Sequence, residues 1–376
     1  MSLRIIISVT SDLVTDQRVN RTASTLKEAG YKILVIGRRL ADSPELAGRR
    51  YRSLRFRLWA NKGAAFYAFY NIRLFWYLLW HHADILLSND LDTLPANYLI
   101  SKIKKIPLVY DSHEYFTGVP ELTHRKKIQA IWKKIESAIL PHIKYAFTVN
   151  ASIASLYKQE YGIDFHVIRN LPETNRTINR DKTLLRRDLG LPADQFLIIL
   201  QGAGINIQRG AEEAVMAMQY LDNTLLLIIG GGDVFPVLKE MTITLGLQNK
   251  VRFESRKPPN ELALYTYAAD LGLSLDKDTN INYRFSLPNK LFDYLHAGIP
   301  VLASDLPEVK NIVEKYGIGR ISKSHDPKAL ATIIHEMLND KEANQIWTKN
   351  IADASRELNW ETERNKLLAI FNSIEK

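Results

Sequence analysis

Short apolar runs alternate with helical stretches along this chain, and the whole alternation occurs twice. In the first half the strand-like runs are Arg4–Val9, Tyr31–Ile36, Arg52–Leu58, Ile85–Ser88, Pro107–Tyr110, Tyr145–Val149 and Phe165–Ile168. In the second half they are Phe196–Leu200, Thr224–Ile229, Val251–Glu254, Leu271–Leu275 and Val301–Ala303. This rhythm predicts parallel sheets covered by helices on both faces. We therefore expect an α/β protein with two doubly wound domains, whose ligands bind at the carboxyl ends of strands.

A polar stretch separates the two alternations. Residues Asn170–Asp194 include Pro172, Pro192 and five Lys or Arg residues, which is typical of an interdomain linker. A length of 376 residues agrees with two domains of ordinary size. We expect an N-terminal domain at residues 1–170 and a second domain at residues 171–357.

The absence of cysteine excludes several kinds of site. No disulfide scaffold, zinc–thiolate site or cysteine nucleophile can form in a chain with no Cys. The first apolar run, Ile5–Val9, has the pattern of a short strand rather than of a signal peptide. Both observations favour a cytoplasmic protein.

Positive charge is concentrated in the first half of the chain. Residues 1–168 hold 24 Lys and Arg against 14 Asp and Glu, whereas residues 169–376 hold 26 against 27. A basic face attracts nucleic acid, anionic lipid or a phosphorylated substrate, although it is more commonly a solvated surface. Five arginines (Arg49, Arg50, Arg52, Arg55 and Arg57) precede the aromatic stretch Ala64–Trp80, which is short for a bilayer span. Either a buried helix or a peripheral, anionic membrane surface fits this stretch.

One predicted helix carries two polar residues suited to a nucleotide. In Arg284–Pro300, Ser286 is the expected N-cap, Pro288 lies in the first turn, and Gly298 ends the helix. Lys290 and Asp293 are three residues apart and share a face. A Lys beside a helix N-terminus binds anions, and a carboxylate accepts hydrogen bonds from sugar hydroxyls. A phosphate and ribose site is one interpretation, and a surface Lys–Asp pair is the other.

The run from Ser286 to Asp305 resembles the donor-binding segment of family 4 of the GT-B glycosyltransferases, in particular a subgroup that keeps Leu-Pro-Asn-Lys, here Leu287–Lys290. The resemblance implies a GT-B fold, with two Rossmann-like domains facing across a cleft and the C-terminal helix, 358–376, packing back on the first domain. It also implies that Asp293 holds the nucleotide ribose, and that Ser286 and Leu287 line the donor site. The first Glu of the family's usual pair is replaced by Phe285.

Two glycine-rich turns follow strands of the second half. Gln201–Gly210 opens a helix, and its glycines, Gly202 and Gly204, allow a backbone to approach a phosphate. A plain tight turn is the alternative. The resemblance implies that Arg209 contacts the donor diphosphate and that the second turn, containing Gly231, lines the donor pocket.

Polar residues also follow strands in the first half. Asp111, His113 and Glu114 come directly after a strand, and His113 could hydrogen-bond the transferred sugar or its acceptor. Near the first helix, Asp16 and Arg18 match the family's Asp-x-Arg-Val, which implies an acceptor-side role for them. Asp16 could equally cap that helix.

Asp90-Leu-Asp92 matches the short metal-binding motif of the other glycosyltransferase fold. We prefer an N-cap role for Asp92, and we treat Asp276-Lys-Asp278 as a chance match of the same kind. The nine His residues show no paired metal spacing. We therefore expect neither a metal nor another cofactor.

The resemblance to family 4 implies a retaining, metal-independent glycosyltransferase. Its donor would be a nucleotide-diphosphate sugar, and its acceptor a glycan or a lipid-linked molecule. Arg209 and Lys290 would stabilise the departing diphosphate, and no nucleic-acid partner is expected. A GT-B nucleotide-sugar epimerase and a non-catalytic nucleotide or glycan binder are the alternatives.

Overall fold

The computed structural model describes residues 2–14, 16–46, 48–174, 178 and 180–374, with only the backbone of residue 121. The chain divides into two compact units. One comprises Met1–Asn170 together with Glu363–Lys376, and the other comprises Leu171–Thr362.

The first unit contains a seven-stranded, wholly parallel sheet. Its strands are β1 (Arg4–Ser8), β2 (Lys32–Arg38), β3 (Arg52–Phe56), β4 (Ile85–Asn89), β5 (Leu108–Ser112), β6 (Tyr145–Thr148) and β7 (His166–Val167). Its helices are α1 (Gln17–Glu28), α2 (Gly63–Trp80), α3 (Leu94–Lys104), α4 (Pro120–Thr123), α5 (Lys126–Ile139) and α6 (Ala151–Tyr161). The strand order is β3-β2-β1-β4-β5-β6-β7, so the order reverses between β1 and β4.

The second unit contains a six-stranded parallel sheet. Its strands are β8 (Phe196–Gly202), β9 (Thr224–Gly230), β10 (Val251–Ser255), β11 (Leu271–Ser274), β12 (Val301–Ser304) and β13 (Gly319–Ser322). Its helices are α7 (Lys182–Asp188), α8 (Ala211–Ala217), α9 (Phe235–Thr244), α10 (Pro259–Ala268), α11 (Ile281–Arg284), α12 (Asn289–His296), α13 (Pro307–Tyr316), α14 (Pro327–Asn339) and α15 (Lys341–Glu357). The last helix, α16 (Trp360–Ile374), begins here, and its residues from Glu363 onward belong to the first unit.

Strand order places the switch point of the second unit between β8 and β11, in the order β10-β9-β8-β11-β12-β13. Strands β8 and β9 are apolar along most of their length and almost fully buried, as strands covered on both faces must be. The predicted α/β class with two doubly wound sheets is confirmed. In such sheets the crevice outside the carboxyl ends at the switch point is where ligands bind.

The polar stretch Asn170–Asp194 was expected to be an interdomain linker, but from Leu171 onward its described residues belong to the second unit. Leu171, Leu185 and Leu191 are buried in the core of the second unit. Arg186, on α7, donates to the backbone oxygen of Ala268 (2.8 Å) and to Asp270 Oδ2 (2.6 Å). Basic residues around these leucines hide the apolar pattern in the sequence, and Asn175, Arg176, Thr177 and Asn179 lie outside the described residues.

Candidate functional site

Helix α12 begins later than the sequence predicts. Its N-cap is Pro288, in extended conformation (φ −71°, ψ 140°), so Ser286 is not the cap and Pro288 is not in the first turn. The reason is the short helix α11 just before it, because the backbone N–H of Ser286 donates to Tyr283 O of that helix. The predicted end is confirmed, since the helix stops at His296 and Gly298 has a φ of +76°.

Two cations of the second unit converge on one buried carboxylate. Lys290 Nζ, on α12, lies 3.2 Å from Asp276 Oδ2, and Arg209 Nη1 lies 3.2 Å from Asp276 Oδ1. Asp276 follows β11 and its side chain is 1% exposed, whereas Arg209 lies in the loop after β8. The switch point therefore holds both predicted diphosphate-binding cations at one carboxylate, and Lys290 pairs with Asp276 rather than with Asp293 as a surface ion pair would require.

Asp293 is bound from the adjacent strand. Its Oδ2 accepts a hydrogen bond from Gln201 Nε2 (3.0 Å), and Gln201 Oε1 accepts one from the hydroxyl of Thr266 (2.7 Å). Gln201 is the polar residue near the end of the otherwise apolar β8. This chain of bonds fixes the half-buried Asp293 carboxylate beside the same switch point.

Some buried polar atoms around these residues have no hydrogen-bond partner in the described part of the chain. They include Ser286 Oγ and Arg209 Nε. The Arg209 guanidinium also lies over the Tyr283 ring, with 4.8 Å from Cζ to the ring centroid. Leu287, the residue after Ser286, packs on the core of the second unit. Unpaired buried donors are costly, so these atoms favour a bound ligand that completes their hydrogen bonds.

The glycine-rich turns pack directly on each other. The backbone N–H of Ile205 donates to Gly231 O (2.7 Å), and that of Gly231 donates to Gly202 O (3.4 Å). Arg256, just after β10, donates from Nη2 to Ala203 O (2.5 Å). The sequence suggests no basic group early in this loop, because Ala203 and Gly204 stand there, yet Arg256 places a guanidinium on it from another strand.

Gly230 is the glycine of these turns that tolerates substitution least. Its φ is +144°, and an added Cβ would lie 1.8 Å from Gly202 O. We expect Gly230→Ala to lower the free energy of unfolding by about 3 kcal/mol in denaturant titration, from combined backbone strain and overpacking. Gly204→Ala is the matched control, since its nearest neighbour is a side-chain atom of Asn206 at 3.6 Å. Equal losses in both variants would contradict the geometry.

The first unit carries a second polar cluster after β4 and β5. His113 lies between two carboxylates, with Nδ1 3.2 Å from Asp90 Oδ2 and Nε2 3.3 Å from Asp111 Oδ2. Asp111 is fully buried and bound by Arg18, whose Nε and Nη2 lie 2.9 Å from Oδ2 and 2.6 Å from Oδ1. Asp92 Oδ2 accepts from the hydroxyl of Thr10 (2.6 Å). The sequence groups Asp111 and His113 with Glu114, but that Asp90 joins this cluster depends on β4 lying beside β5.

Charge in this cluster determines the protonation of His113. Burial lowers the pKa of His113, but Asp90 and Asp111 outweigh it and raise the pKa to about 9. Burial and then the neighbouring Asp90 raise the pKa of Asp92 to about 7. For Asp111, burial is outweighed by Arg18, so the pKa is lowered. At neutral pH His113 is therefore a cation with both ring nitrogens engaged, which suits a fixed positive charge and not a general base.

Stability should fall in alkali because of His113. A folded-state pKa of about 9 against about 6.5 unfolded gives stabilisation that is present below pH 6.5 and lost as pH rises through 9. We expect up to about 3 kcal/mol of this loss between pH 7 and 9.5, absent in His113→Gln. Urea titrations at each pH measure it, and His82→Gln, in an exposed pair with Asp84, is the control. An NMR pKa of His113 near 6.5 would contradict the prediction.

The other first-unit predictions have mixed outcomes. Asp16 caps α1, because its side chain accepts from Val19 N. Arg18 is 4% exposed and also donates to Ile168 O (2.9 Å), and its acceptor-side role stays a prediction. Glu114 has an exposed side chain, and its backbone oxygen accepts from Ser112.

The expected N-cap role of Asp92 was wrong. The N-cap of helix α3 is Thr93, and it makes no side-chain cap bond. The Asp92 carboxylate does not cap the helix either, because it accepts a hydrogen bond from Thr10. Asp278 pairs with Arg284, which separates it from the buried Asp276. Across the described ranges, no group of three or more His, Asp or Glu side chains is arranged to hold a metal ion.

Two doubly wound units of this strand order define the GT-B class of fold. Residues 181–354 match the family model for glycosyl transferases group 1, and residues 16–176 match the model for glycosyltransferase family 4. The chain belongs to this glycosyltransferase family.

Individual relatives are distant. The chain is 24% identical over 197 residues to D-inositol 3-phosphate glycosyltransferase of Corynebacterium glutamicum, covering 50% of this chain and 46% of the relative. It thus spans about half the length of that relative. The fold is similar to sucrose-phosphate synthase of Thermosynechococcus elongatus (17% identity, TM-score 0.82, covering 99% of each chain). It is also similar to Anabaena HepE in complex with UDP-glucose (18% identity, TM-score 0.76, covering 99% of this chain and 100% of that one).

Proposed function

We propose that this protein transfers a glycosyl group from a nucleotide-diphosphate sugar to a glycan or lipid-linked acceptor, with retention of configuration. The observation that carries the proposal is the convergence of Arg209 and Lys290 on Asp276 at the switch point of the second unit. Family membership supports the reaction class, and the UDP-glucose bound to HepE makes UDP-glucose the first donor to test.

The donor would be held by groups of the second unit. Lys290 and Arg209 would bind the diphosphate, and the backbone of the turns containing Gly202, Gly204 and Gly231 would lie beside it. Ser286 Oγ, buried without a hydrogen-bond partner among the described residues, would donate to it as well. Asp293, fixed by Gln201, would accept hydrogen bonds from the ribose hydroxyls.

Charge stabilisation is the main catalytic task in this reaction. The bond between the anomeric carbon and the diphosphate oxygen breaks, and its electron pair leaves with the diphosphate. Lys290 and Arg209 would stabilise that developing negative charge from positions already fixed by Asp276. The acceptor hydroxyl then bonds to the anomeric carbon from the side that the diphosphate leaves, and its proton passes to an oxygen of the departing diphosphate. We assign no side-chain nucleophile and no metal to this proposed reaction.

The first unit would serve the acceptor and the sugar. His113, held between Asp90 and Asp111, would present a positive charge near the carboxyl ends of β4 and β5. Because the pKa of His113 is raised to about 9, it would act by orienting or charge stabilisation and not by removing a proton.

Donor turnover separates the proposal from its alternatives. UDP-, GDP- and dTDP-sugars are each incubated with and without glycan and lipid-linked acceptors, in EDTA, and the released nucleoside diphosphate is measured. Release that requires an acceptor, with the anomeric configuration of the product retained by NMR, is the expected result. Conversion of the donor to its epimer without acceptor would identify an epimerase, and calorimetric binding without any turnover would identify a binder. Either of these results would overturn the transferase.

A further inference from the structure

Helix α2 exposes apolar side chains along one stripe. Phe69, Ile72, Trp76 and Trp80 are exposed and follow the spacing of one helical face. The other face, including Tyr70 and Leu74, is buried in the first unit. Just before the helix, Trp59 is 98% exposed. A surface helix normally exposes polar residues, so this stripe requires an explanation.

Helix α3 continues the same surface. The backbone N–H of Ala96 donates to Asn71 Oδ1 (3.2 Å), and Lys104 Nζ donates to the backbone oxygen of His81 (2.8 Å). These bonds, near the start and end of α3, show that α2 and α3 run side by side in the same direction. Leu99 and Ile103 on α3 are also exposed. We call the exposed residues Trp59, Phe69, Ile72, Trp76, Trp80, Leu99 and Ile103 the aromatic face.

The two segments that carry the aromatic face hold basic residues and no acidic ones. Residues 57–83 and 93–110 contain no Asp or Glu. They contain the cations Arg57, Lys62, Arg73, Lys102, Lys104 and Lys105. Of the five arginines that suggest a basic surface in the sequence, Arg50 pairs with Glu28 and Arg55 with Asp12, whereas Arg57 lies in a segment of the aromatic face. Helices α2 and α3 therefore combine exposed apolar side chains with cations.

We infer that the aromatic face is a docking surface for an anionic lipid bilayer. Tryptophan beside Lys and Arg suits the membrane interface, where the rings enter the headgroup region and the cations meet lipid phosphates. A second copy of the chain fits less well, because a two-fold contact would bring the cations of both copies together with no carboxylate between them. Among the described helices, none is both long and apolar enough to cross a bilayer. The helix would thus lie along the lipid surface, and this inference does not depend on sugar transfer.

Intrinsic fluorescence reports on this face directly. Of the six Trp residues, Trp132, Trp347 and Trp360 are buried, whereas Trp59, Trp76 and Trp80 are exposed on the face. Vesicles of phosphatidylcholine and phosphatidylglycerol in equal parts should shift the emission to the blue and sediment the full chain. The protein should bind vesicles of pure phosphatidylcholine at least about tenfold more weakly than the anionic vesicles. Added salt should weaken its binding to the anionic vesicles.

Paired variants test both halves of the inference. Trp76→Ser with Trp80→Ser should lower the partition coefficient at least about tenfold, while Ile243→Ser with Ile346→Ser, equally exposed in the second unit, should not. The double variant Lys62→Glu, Lys102→Glu should lower the partition coefficient at least about twentyfold. The matched control, Lys328→Glu with Lys349→Glu at exposed positions of the second unit, should leave it unchanged. Equal binding to neutral vesicles, or unchanged binding by both face variants, would overturn the inference. The inference would also be overturned if light scattering showed a dimer that the Trp76→Ser, Trp80→Ser variant no longer forms, and if the wild type did not bind vesicles.

Discussion

Lys290→Ala should lower the affinity for nucleoside diphosphates about tenfold to a hundredfold, and leave the affinity for the bare nucleoside nearly unchanged. A charge-assisted contact to phosphate is worth about 1.5–3 kcal/mol, which corresponds to that range. Lys290 Nζ is poised for this contact, because it is 10% exposed and held 3.2 Å from Asp276 Oδ2 at the switch point. Calorimetry with UDP and uridine, or with whichever base binds, measures both affinities.

The control for this prediction must separate folding from binding, because the variant leaves the buried Asp276 with Arg209 as its remaining cation. In Lys290→Ala with Asp276→Asn, stability should return while diphosphate affinity stays low. Asp293→Asn should behave differently and weaken nucleoside and diphosphate alike, since both carry the ribose. If Lys290→Ala and Asp293→Asn both leave diphosphate binding unchanged, the donor site lies elsewhere.

Most of the fold could be predicted from the sequence, because strands and helices are recognised from patterns of neighbouring residues. Strands such as β8 and β9 are apolar runs that end in glycine, and they need no long-range information to be recognised. Strand β13 was missed because Gly319–Ser322 is short and mixed in polarity. The supposed linker failed for a related reason, since three buried leucines separated by charged residues show no clear period.

The site was less accessible, because its contacts join residues far apart in the chain. Lys290 and Asp293 were correctly placed on one helix, but their partners, Asp276 and Gln201, depend on β8 lying beside β11. The one available signal was that both partners are polar residues at the carboxyl ends of apolar strands. Likewise Arg256 reaches the glycine-rich loop only because β10 ends near it, which spacing along the chain cannot reveal.

Breaking the buried pair in the first unit should cost more stability than any other change considered for that unit. Arg18 and Asp111 are 4% and 0% exposed, and the guanidinium bonds the carboxylate through Nε and Nη2. Removing one partner of such a pair leaves a buried charge without compensation, at about 3–5 kcal/mol. We expect Arg18→Met and Asp111→Asn each to lose this much, measured by hydrogen exchange of the β5 and β6 amides, which reports on the first unit alone.

Exposure, and not distance, should decide the size of this effect. The pair between Arg50 and Glu28 has a similar separation of 2.8 Å, but its side chains are 73% and 38% exposed, so Arg50→Met should cost at most about 0.5 kcal/mol. The double variant Arg18→Met with Asp111→Leu should recover part of the loss, because no buried charge remains. The NMR pKa of His113 should fall in both Asp111 variants, since one of its two raising carboxylates is gone. Equal costs for Arg18→Met and Arg50→Met, with an unmoved His113 pKa, would show that Arg18, Asp111 and His113 do not form the coupled network from which these predictions follow.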